Sequence, residues 1–323
     1  MQQQLESILD QTRLPDELVV GDDCSSDDTA EILQNFAAKA PFPVRLQINP
    51  QNFGSTKNFE QTILRCTGDV IFLSDQDDVW LPAKIEKTAF ILEEKKEVGF
   101  VFTDAALVDE QLQPLAVNLW EISFTPEEQL AARAGQTLEV LLRRNVVTGA
   151  TMAFRAQFRQ SFMPLPIHIP NVIHDAWISL VIAAQSEAEF INEPLMNYRQ
   201  HSGQQLGIDW RPMNMRGKTN EDRTAAYTKS INFYRTELKR LPILIEALNK
   251  TPVFWPHRSI IDATLKTTLK EVEEIIAHYE ARIGLPASRV QRAAPILNEV
   301  LSGRYHRFSK GWASAAKDLF GDL

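Results

Sequence analysis

Three carboxylates stand within four residues of one another, directly after a short apolar run. The run, residues 70–73, predicts a buried strand, and the carboxylates belong to Asp75, Asp77 and Asp78. In open α/β sheets, ligands bind at the carboxyl ends of the strands. Neighbouring carboxylates raise one another's pKa, and a divalent cation supplies the missing charge. Two interpretations therefore stay open: an oxygen-ligand site for Mg²⁺ or Mn²⁺, and an acidic turn that caps a helix beginning near Pro82.

The composition is that of an ordinary globular protein and excludes some classes of function. The chain has 323 residues, of which 44% are hydrophobic and 24% charged, and its formal net charge is -8. This balance argues against a general nucleic-acid binder, because no basic field would neutralise phosphates. No apolar run reaches the roughly 18 residues that a membrane span requires. Cys24 and Cys66 offer neither a disulfide framework nor a zinc spacing, which favours a cytoplasmic location.

The elements that must position the carboxylates alternate between strand and helix. Apolar or alternating runs at residues 17–20, 44–48, 70–73 and 98–102 predict strands, and amphipathic helices separate them. This alternation implies a parallel, doubly wound α/β sheet.

Two more strands are predicted further along the chain. Residues 145–154 predict a strand with Gly149 inside it, where a glycine permits close approach of backbone or ligand. Residues 190–195 predict an edge strand.

The chain divides into three parts by composition. Residues 1–205 carry the strand–helix alternation, residues 206–222 are polar and predict a linker or mobile loop, and residues 223–323 predict a helical extension. Near the end, residues 303–317 contain four basic side chains, three aromatic rings and no acidic residue. Such a segment can lie on an anionic membrane or dock on its own domain, and both interpretations stay open.

Five spaced motifs give the chain a resemblance to a known family. They are LVVGDDCSSDDT at residues 18–29, NFGSTKN at 52–58, GDVIFLSDQDD at 68–78, HDAW at 174–177 and YRQH at 198–201. In this order they resemble the family 2 glycosyltransferases of the GT-A fold, especially bacterial rhamnosyltransferase-like members. The resemblance covers about the first 205 residues. It implies a GT-A doubly wound mixed sheet followed by a C-terminal helical extension.

The resemblance also implies a site for a nucleotide-diphosphate sugar. Its members would be Asp22 on the pyrimidine base, Lys57 near the base or the phosphates, Asp75 on the ribose with Gln76 as a further donor contact, and Asp77 and His201 at the Mn²⁺ or Mg²⁺ ion. A structural loop role for His201 stays open. Asp78 fits a turn or a helix cap better than a ligand.

On the acceptor side, the resemblance points to three residues. Asp175 would be the general base that deprotonates an acceptor hydroxyl, although its position also fits a helix cap. Trp177 would stack on an acceptor sugar or anchor the core, and Asp104 would border the acceptor. The implied activity is metal-dependent, inverting transfer of a hexosyl or rhamnosyl group to a glycan or lipid-linked acceptor. Surface-polysaccharide assembly at the inner face of the membrane is the expected setting.

One departure from the family pattern leaves other functions open. Family members begin with a central strand of the form VSVVIPTYN, and this sequence lacks it, so we expect a gap in the sheet and suspect an incomplete N-terminus. A nucleotide-sugar-binding module with impaired catalysis is therefore one alternative. A haloacid-type phosphatase with Asp75 as nucleophile is another, although the late Gly-Asp cluster of that class has no counterpart beyond Gly321 and Asp322.

Overall fold

The computed structural model describes residues 1–166, 173–201, 223–250 and 258–320. These residues form two compact units, of which the first contains residues 1–201 and the second residues 223–250 and 259–320. The predicted linker at residues 206–222 lies outside the described residues, so the predicted domain boundaries stay a prediction. Within the described ranges, no helix is both long enough and apolar enough to cross a membrane.

The first unit is a mixed α/β structure, as predicted. Its strands are β1 Leu18–Asp22, β2 Val44–Ile48, β3 Val70–Phe72, β4 Val79–Trp80, β5 Val98–Val108, β6 Pro114–Asn118, β7 Met152–Arg155 and β8 Glu187–Arg199. Its helices are α1 Gln2–Leu9, α2 Thr29–Ala37, α3 Ser55–Arg65, α4 Lys84–Glu94, α5 Trp120–Ser123, α6 Pro126–Arg133, α7 Thr137–Arg143, α8 Arg159–Phe162 and α9 His174–Ala183.

The strands form two sheets. β1 and β2 make a parallel pair, and the other strands form a mixed sheet in the order β3-β7-β5-β8-β4, with β6 on β5. Only β5 and β8 pair in parallel there; β3 pairs with β7, and β4 with β8, in antiparallel fashion. β5 is the centre of this sheet. Its sequence, VGFVFTDAALV, is almost continuously apolar and is buried along nearly its whole length, as a strand covered on both faces must be.

A cavity separates the two sheets. Among the described residues, β1 pairs only with β2 and β3 only with β7, so each has a free edge. Between them lies a cavity of about 530 Å³, lined by Leu18 and Val19 on one side and by residues 70–73 on the other. The expected gap in the sheet is therefore present, and it lies between β1 and β3.

Three predictions about strands need correction. The edge strand predicted at 190–195 is part of the longer strand β8, which pairs with β5 along its length and with β4 only at Met196 and Asn197. The strand predicted at 98–102 continues to Val108, since the apolar pattern of β5 resumes after Asp104. Of residues 145–154, the first part is irregular, Gly149–Thr151 is a 3₁₀ turn, and only the last part is β7.

The second unit is helical, as predicted. Its helices are α10 Arg223–Lys250, α11 Arg258–Ile283, α12 Arg289–Leu301, α13 Arg304–Phe308 and α14 Trp312–Phe320. Ile296, Tyr305 and Ala315 form the apolar cluster that joins the last three helices. Beside it lies a buried polar network, in which Asp318 accepts hydrogen bonds from Arg282 (Nε–Oδ2, 2.7 Å) and from the hydroxyl of Tyr305 (2.8 Å).

Candidate active site

The predicted site residues lie at the ends of four elements of the first unit. Asp22 is the last residue of β1, the acidic turn 75–78 follows β3, Asp175 lies in the first turn of α9, and His201 follows β8. Because parallel strands present their carboxyl ends at one edge, this is where the topology places a ligand.

Asp22 has one carboxylate oxygen without a partner. Its side chain is only 4% exposed; Oδ1 accepts hydrogen bonds from the hydroxyl and the N–H of Ser25, whereas Oδ2 has no partner among the described residues. A buried acceptor of this kind costs free energy until a donor reaches it. Asp22 is therefore placed to accept an N–H from a ligand.

Helix α3 fixes the position of Asp22 through the preceding glycine. A Cβ at Gly21 would lie 2.4 Å from Thr62 Oγ1 and 2.5 Å from Asn58 Oδ1, so only glycine lets the helix approach so closely. Asn58 donates to the Gly21 carbonyl over 2.7 Å.

Asp23, which was not predicted as a site residue, organises the neighbouring loop. Its carboxylate accepts hydrogen bonds from the side chain of Asn49 (2.9 Å) and from the N–H groups of Phe53 (2.9 Å) and Gly54 (2.8 Å). Burial alone would raise the pKa of Asp23, but these hydrogen bonds outweigh it and hold the pKa below its ordinary value. The signal available in the sequence was a second aspartate at the strand end, facing the NFGSTKN loop.

Two of the predicted donor residues, Lys57 and Gln76, form no hydrogen bond with the other predicted site residues in the described part of the chain. Lys57 forms an ion pair with Glu60, one helical turn further along α3. Gln76 is exposed, and no side-chain hydrogen bond is found for it within the described ranges. Their roles toward a donor stay predictions.

The acidic turn combines groups with different environments. Burial, followed by the charges of Asp77 and Asp175, raises the pKa of Asp75 to about 7. Asp78 is 1% exposed, and its Oδ1 accepts the N–H of Arg199 over 3.0 Å. Asp78 thus ties the turn to the end of β8, which agrees with a role in the fold.

Asp77 and His201 are brought together, as the metal prediction requires. Asp77 Oδ2 lies 2.8 Å from His201 Nε2, and both side chains are partly exposed. Arg199, near the end of β8, donates from Nε to the Asp77 carbonyl over 2.6 Å. This hydrogen bond holds the acidic turn against the end of β8. No group of three or more His, Cys, Asp or Glu side chains that could hold a metal occurs in the described part of the chain. One carboxylate and one imidazole suit a cation that takes its other ligands from substrate phosphates, as Mg²⁺ commonly does.

Asp175 is buried and held by three donors. Its Oδ2 accepts the N–H of Gly149 (2.8 Å), and its Oδ1 accepts the N–H of Ala176 (2.5 Å) and the side-chain amide of Asn145 (3.3 Å). Burial raises the pKa of Asp175 to about 6 against the opposite effect of these bonds. A carboxylate offers about four lone-pair sites, so one remains for an incoming proton. Asp175 is not the N-cap of α9, because the helix begins at His174, and its role as a base stays a prediction.

The 3₁₀ turn that holds Asp175 is itself supported by a buried lysine. Lys84 is 1% exposed and donates from Nζ to the Ala150 carbonyl over 3.0 Å. Burial lowers its pKa to about 7, which the nearby charge of Asp78 opposes. No pattern in the sequence indicates this, because lysine is rarely buried.

The acceptor-side predictions for Trp177 and Asp104 need correction. Trp177 is 4% exposed and its Nε1 donates to the Phe162 carbonyl over 2.9 Å, so the ring anchors the core and cannot stack on a sugar. Asp104 lies inside β5, and its carboxylate accepts the N–H groups of Ala105 (2.8 Å) and Trp120 (3.0 Å). It orders the start of α5, and no contact joins it to the other site residues among those described.

Comparison with known proteins confirms the family that the motifs predict. The family model described as "Glycosyl transferase family 2" matches residues 1–162, half of the chain. An uncharacterised protein of Mycobacterium tuberculosis is 25% identical over 192 residues, which are 59% of this chain and 52% of that protein. The chain thus spans about half the length of the first curated relatives it matches. The dTDP-rhamnosyl transferase RfbG of Shigella flexneri is 25% identical over 222 residues, 65% of this chain and 71% of RfbG.

Solved structures share the fold. Residues 1–349 of TarS from S. aureus superpose with a TM-score of 0.51 at 13% identity, covering 98% of this chain and 84% of that one. The mannosyltransferase PcManGT from Pyrobaculum calidifontis, solved with GDP-Man and Mn²⁺, gives a TM-score of 0.50 at 15% identity and covers 98% of this chain and 82% of that one. The GT-A fold predicted from the motifs is confirmed.

Proposed function

The chain belongs to glycosyl transferase family 2, and from that premise we propose that it transfers a sugar from a nucleotide-diphosphate sugar to a hydroxyl group of a glycan or lipid-linked acceptor. The observation that carries the proposal is the pairing of Asp77 with His201 over 2.8 Å at the acidic turn, together with the buried carboxylate of Asp175 at the start of α9. A donor bound at the turn would then use Asp175 as its base. RfbG, a named dTDP-rhamnosyl transferase, supports a hexosyl or rhamnosyl donor. We place the proposed transfer in surface-polysaccharide assembly.

The donor half of the site would work through Asp22 and Asp77. The unpartnered Oδ2 of Asp22 would accept an N–H from the nucleotide base. Asp77 and His201 would hold Mn²⁺ or Mg²⁺, with Asp75 and Gln76 toward the ribose and Lys57 near the base or phosphates. When bound, such a cation neutralises the charge that develops on the departing diphosphate.

The acceptor half would work through Asp175. Its carboxylate, ionised above pH 6, would take the proton of the acceptor hydroxyl as the oxygen attacks the anomeric carbon. With one base on the acceptor side, attack from the face opposite the leaving group inverts the anomeric configuration. The hydroxyl proton ends on Asp175, and the nucleoside diphosphate leaves with the electron pair of the broken bond.

The proposal is tested first by donor binding. UDP-, GDP- and dTDP-sugars are screened by thermal shift with Mn²⁺, Mg²⁺ or chelator, on the parent chain and on Asp77→Asn. We expect one donor class to raise Tm only with a cation and Asp77→Asn to lose that shift. Asp262→Asn, the same change on an exposed position of α11, serves as control and should keep it. A cation-dependent shift that persists in Asp77→Asn would remove Asp77 from the metal site.

A second candidate is a nucleotide-sugar-binding protein without turnover. The cavity between β1 and β3 favours it, because Asp22 and the acidic turn then stand on separate sheets. Release of nucleoside diphosphate that depends on a lipid-linked or glycan acceptor supports transfer, whereas donor binding with no release supports the second candidate. A phosphatase with Asp75 as nucleophile is disfavoured, because a pKa of about 7 leaves about half of that group protonated at neutral pH.

A further inference from the structure

Helix α12 exposes a row of apolar side chains. Val290, Leu297 and Leu301 are 85%, 55% and 75% exposed, and Ala294 between them is exposed as well. Steps of four, three and four residues place them on one face of a helix. The opposite face is satisfied, since Ile296 packs in the core of the second unit. This row has no packing partner within the described residues.

Helix α14 also exposes large apolar side chains, and in addition it buries a charged one. Its polar Asp318 is fully buried among Arg282 and Tyr305, whereas Trp312 and Phe320 are each 66% exposed. The helix therefore buries a carboxylate and presents aromatic rings to solvent. Placing large rings outside is costly in water, and an exposed apolar patch of this kind marks an interaction surface.

Two exposed lysines accompany these side chains. Residues 289–320 contain six arginines and lysines, of which Arg292 is buried, Arg304 pairs with Glu299 and Arg307 pairs with Glu274. Lys310 and Lys317 are exposed, and neither forms an ion pair in the part of the chain that the structure describes. The whole chain carries a formal net charge of -8, so these two lysines stand against the general balance.

We propose that the exposed side chains of α12 and α14, with Lys310 and Lys317, bind an anionic lipid bilayer. Apolar and aromatic side chains bordered by lysines are the combination that enters a membrane interface and attracts anionic headgroups. A second copy of the chain fits less well, because a two-fold interface would bring the same positive charges together. This binding goes beyond sugar transfer and does not depend on it.

These side chains differ from the segment that the sequence predicted. Residues 303–317 do not form one amphipathic helix, because α13 and α14 are separate and Tyr305 is buried. Of the three aromatic rings expected on the membrane, only Trp312 is exposed. The row on α12, which lies before the predicted segment, supplies much of the apolar area.

Cosedimentation with vesicles tests the proposal on the full chain. Vesicles with about a third phosphatidylglycerol are compared with pure phosphatidylcholine vesicles, at low and at high salt. We expect binding to the anionic vesicles that weakens with salt. The double change Lys310→Gln and Lys317→Gln should weaken it about fivefold per charge removed.

Apolar variants separate insertion from charge attraction. Leu301→Ser with Trp312→Ser should lower binding at least tenfold, because both side chains are already exposed and their removal leaves the core intact. Leu130→Ser with Phe90→Ser makes matched changes at positions 70% and 60% exposed in the first unit and should bind like the parent. Lys39→Gln with Lys266→Gln is the corresponding control for charge.

Three results would overturn the proposal. These are equal binding to neutral and anionic vesicles, vesicle binding that the surface variants leave unchanged, and a concentration-dependent dimer that those variants abolish, which would assign the rows to a second copy. Circular dichroism of each variant shows that it is folded. Donor-induced thermal shifts should be the same in the parent and the surface variants, so that loss of vesicle binding is not confused with failure of the proposed transfer.

Discussion

The carboxylate of Asp175 is held by three donors, yet burial raises its pKa to about 6. Below that pH it is protonated and cannot accept a second proton. We therefore expect transfer, measured as kcat/KM against pH, to rise through pH 6 and level off above 7. Asn145→Ala removes a hydrogen-bond donor that lowers the pKa of Asp175, so it should move the rising part of this pH profile to higher pH. If the rise of kcat/KM occurs at the same pH in that variant, the titrating group is not Asp175.

Replacing the carboxylate tests its role directly. Asp175→Asn should keep the donor-induced thermal shift and lose about 10²–10⁴-fold in transfer rate, the usual contribution of a general base. The measurement is release of nucleoside diphosphate in the presence of acceptor. Transfer at the parent rate would rule out Asp175 as the base and leave it a helix-start residue.

At the level of elements, the 3₁₀ turn Gly149–Thr151 packs tightly against the start of α9. A Cβ added at Gly149 would lie 3.1 Å from His174 Nε2 and 3.2 Å from Asp175 Cβ. Gly149→Ala should thus cost about 1–3 kcal/mol in free energy of unfolding and reduce transfer more than donor binding. Gly68→Ala is the control, since its Cβ would come no closer than 3.7 Å to any atom. Urea unfolding and turnover should separate the two variants.

The two sheets should differ in hydrogen exchange. β1 pairs on one side only, whereas β5 has partners on both sides and lies at the centre of its sheet. Amides of Leu18–Asp22 should therefore exchange faster than those of Val98–Val108, because fewer contacts must open. Mass spectrometry of peptides from both strands checks this, and equal protection would mean that the free edge of β1 is covered.

Several elements could be predicted from the sequence because their pattern is local. β2 was predicted with its observed bounds, since residues 44–48 alternate cleanly. Other features depend on partners far along the chain. Nothing near Lys84 indicates that its ammonium group meets the carbonyl of Ala150, and nothing near Trp177 distinguishes a core ring from a sugar platform. The candidate site residues were predicted from the order of the motifs. The hydrogen bonds between Asp23 and its loop could be seen only in the structure.

At the scale of the whole molecule, the two units should respond separately to a change in the helical one. Asp318 is fully buried and balances Arg282, so Asp318→Ala leaves a buried cation without its main counter-charge. We expect a loss of about 3–5 kcal/mol in the stability of the second unit. Hydrogen exchange should rise in α11 to α14 while the donor-induced shift of the first unit persists. Asp262→Ala, exposed on α11, should change stability by less than about 0.5 kcal/mol.

The cavity between β1 and β3 has a consequence for the thermodynamics of donor binding. Asp22 belongs to one sheet and the acidic turn to the other, and no ladder of backbone hydrogen bonds connects them in the described residues. A ligand that bridges both would restrict the movement of one sheet relative to the other. Calorimetry should then record a favourable enthalpy largely offset by an unfavourable entropy. Affinity would be limited by the lack of pre-organisation between the two sheets, even though the polar groups proposed to contact the ligand are already in place.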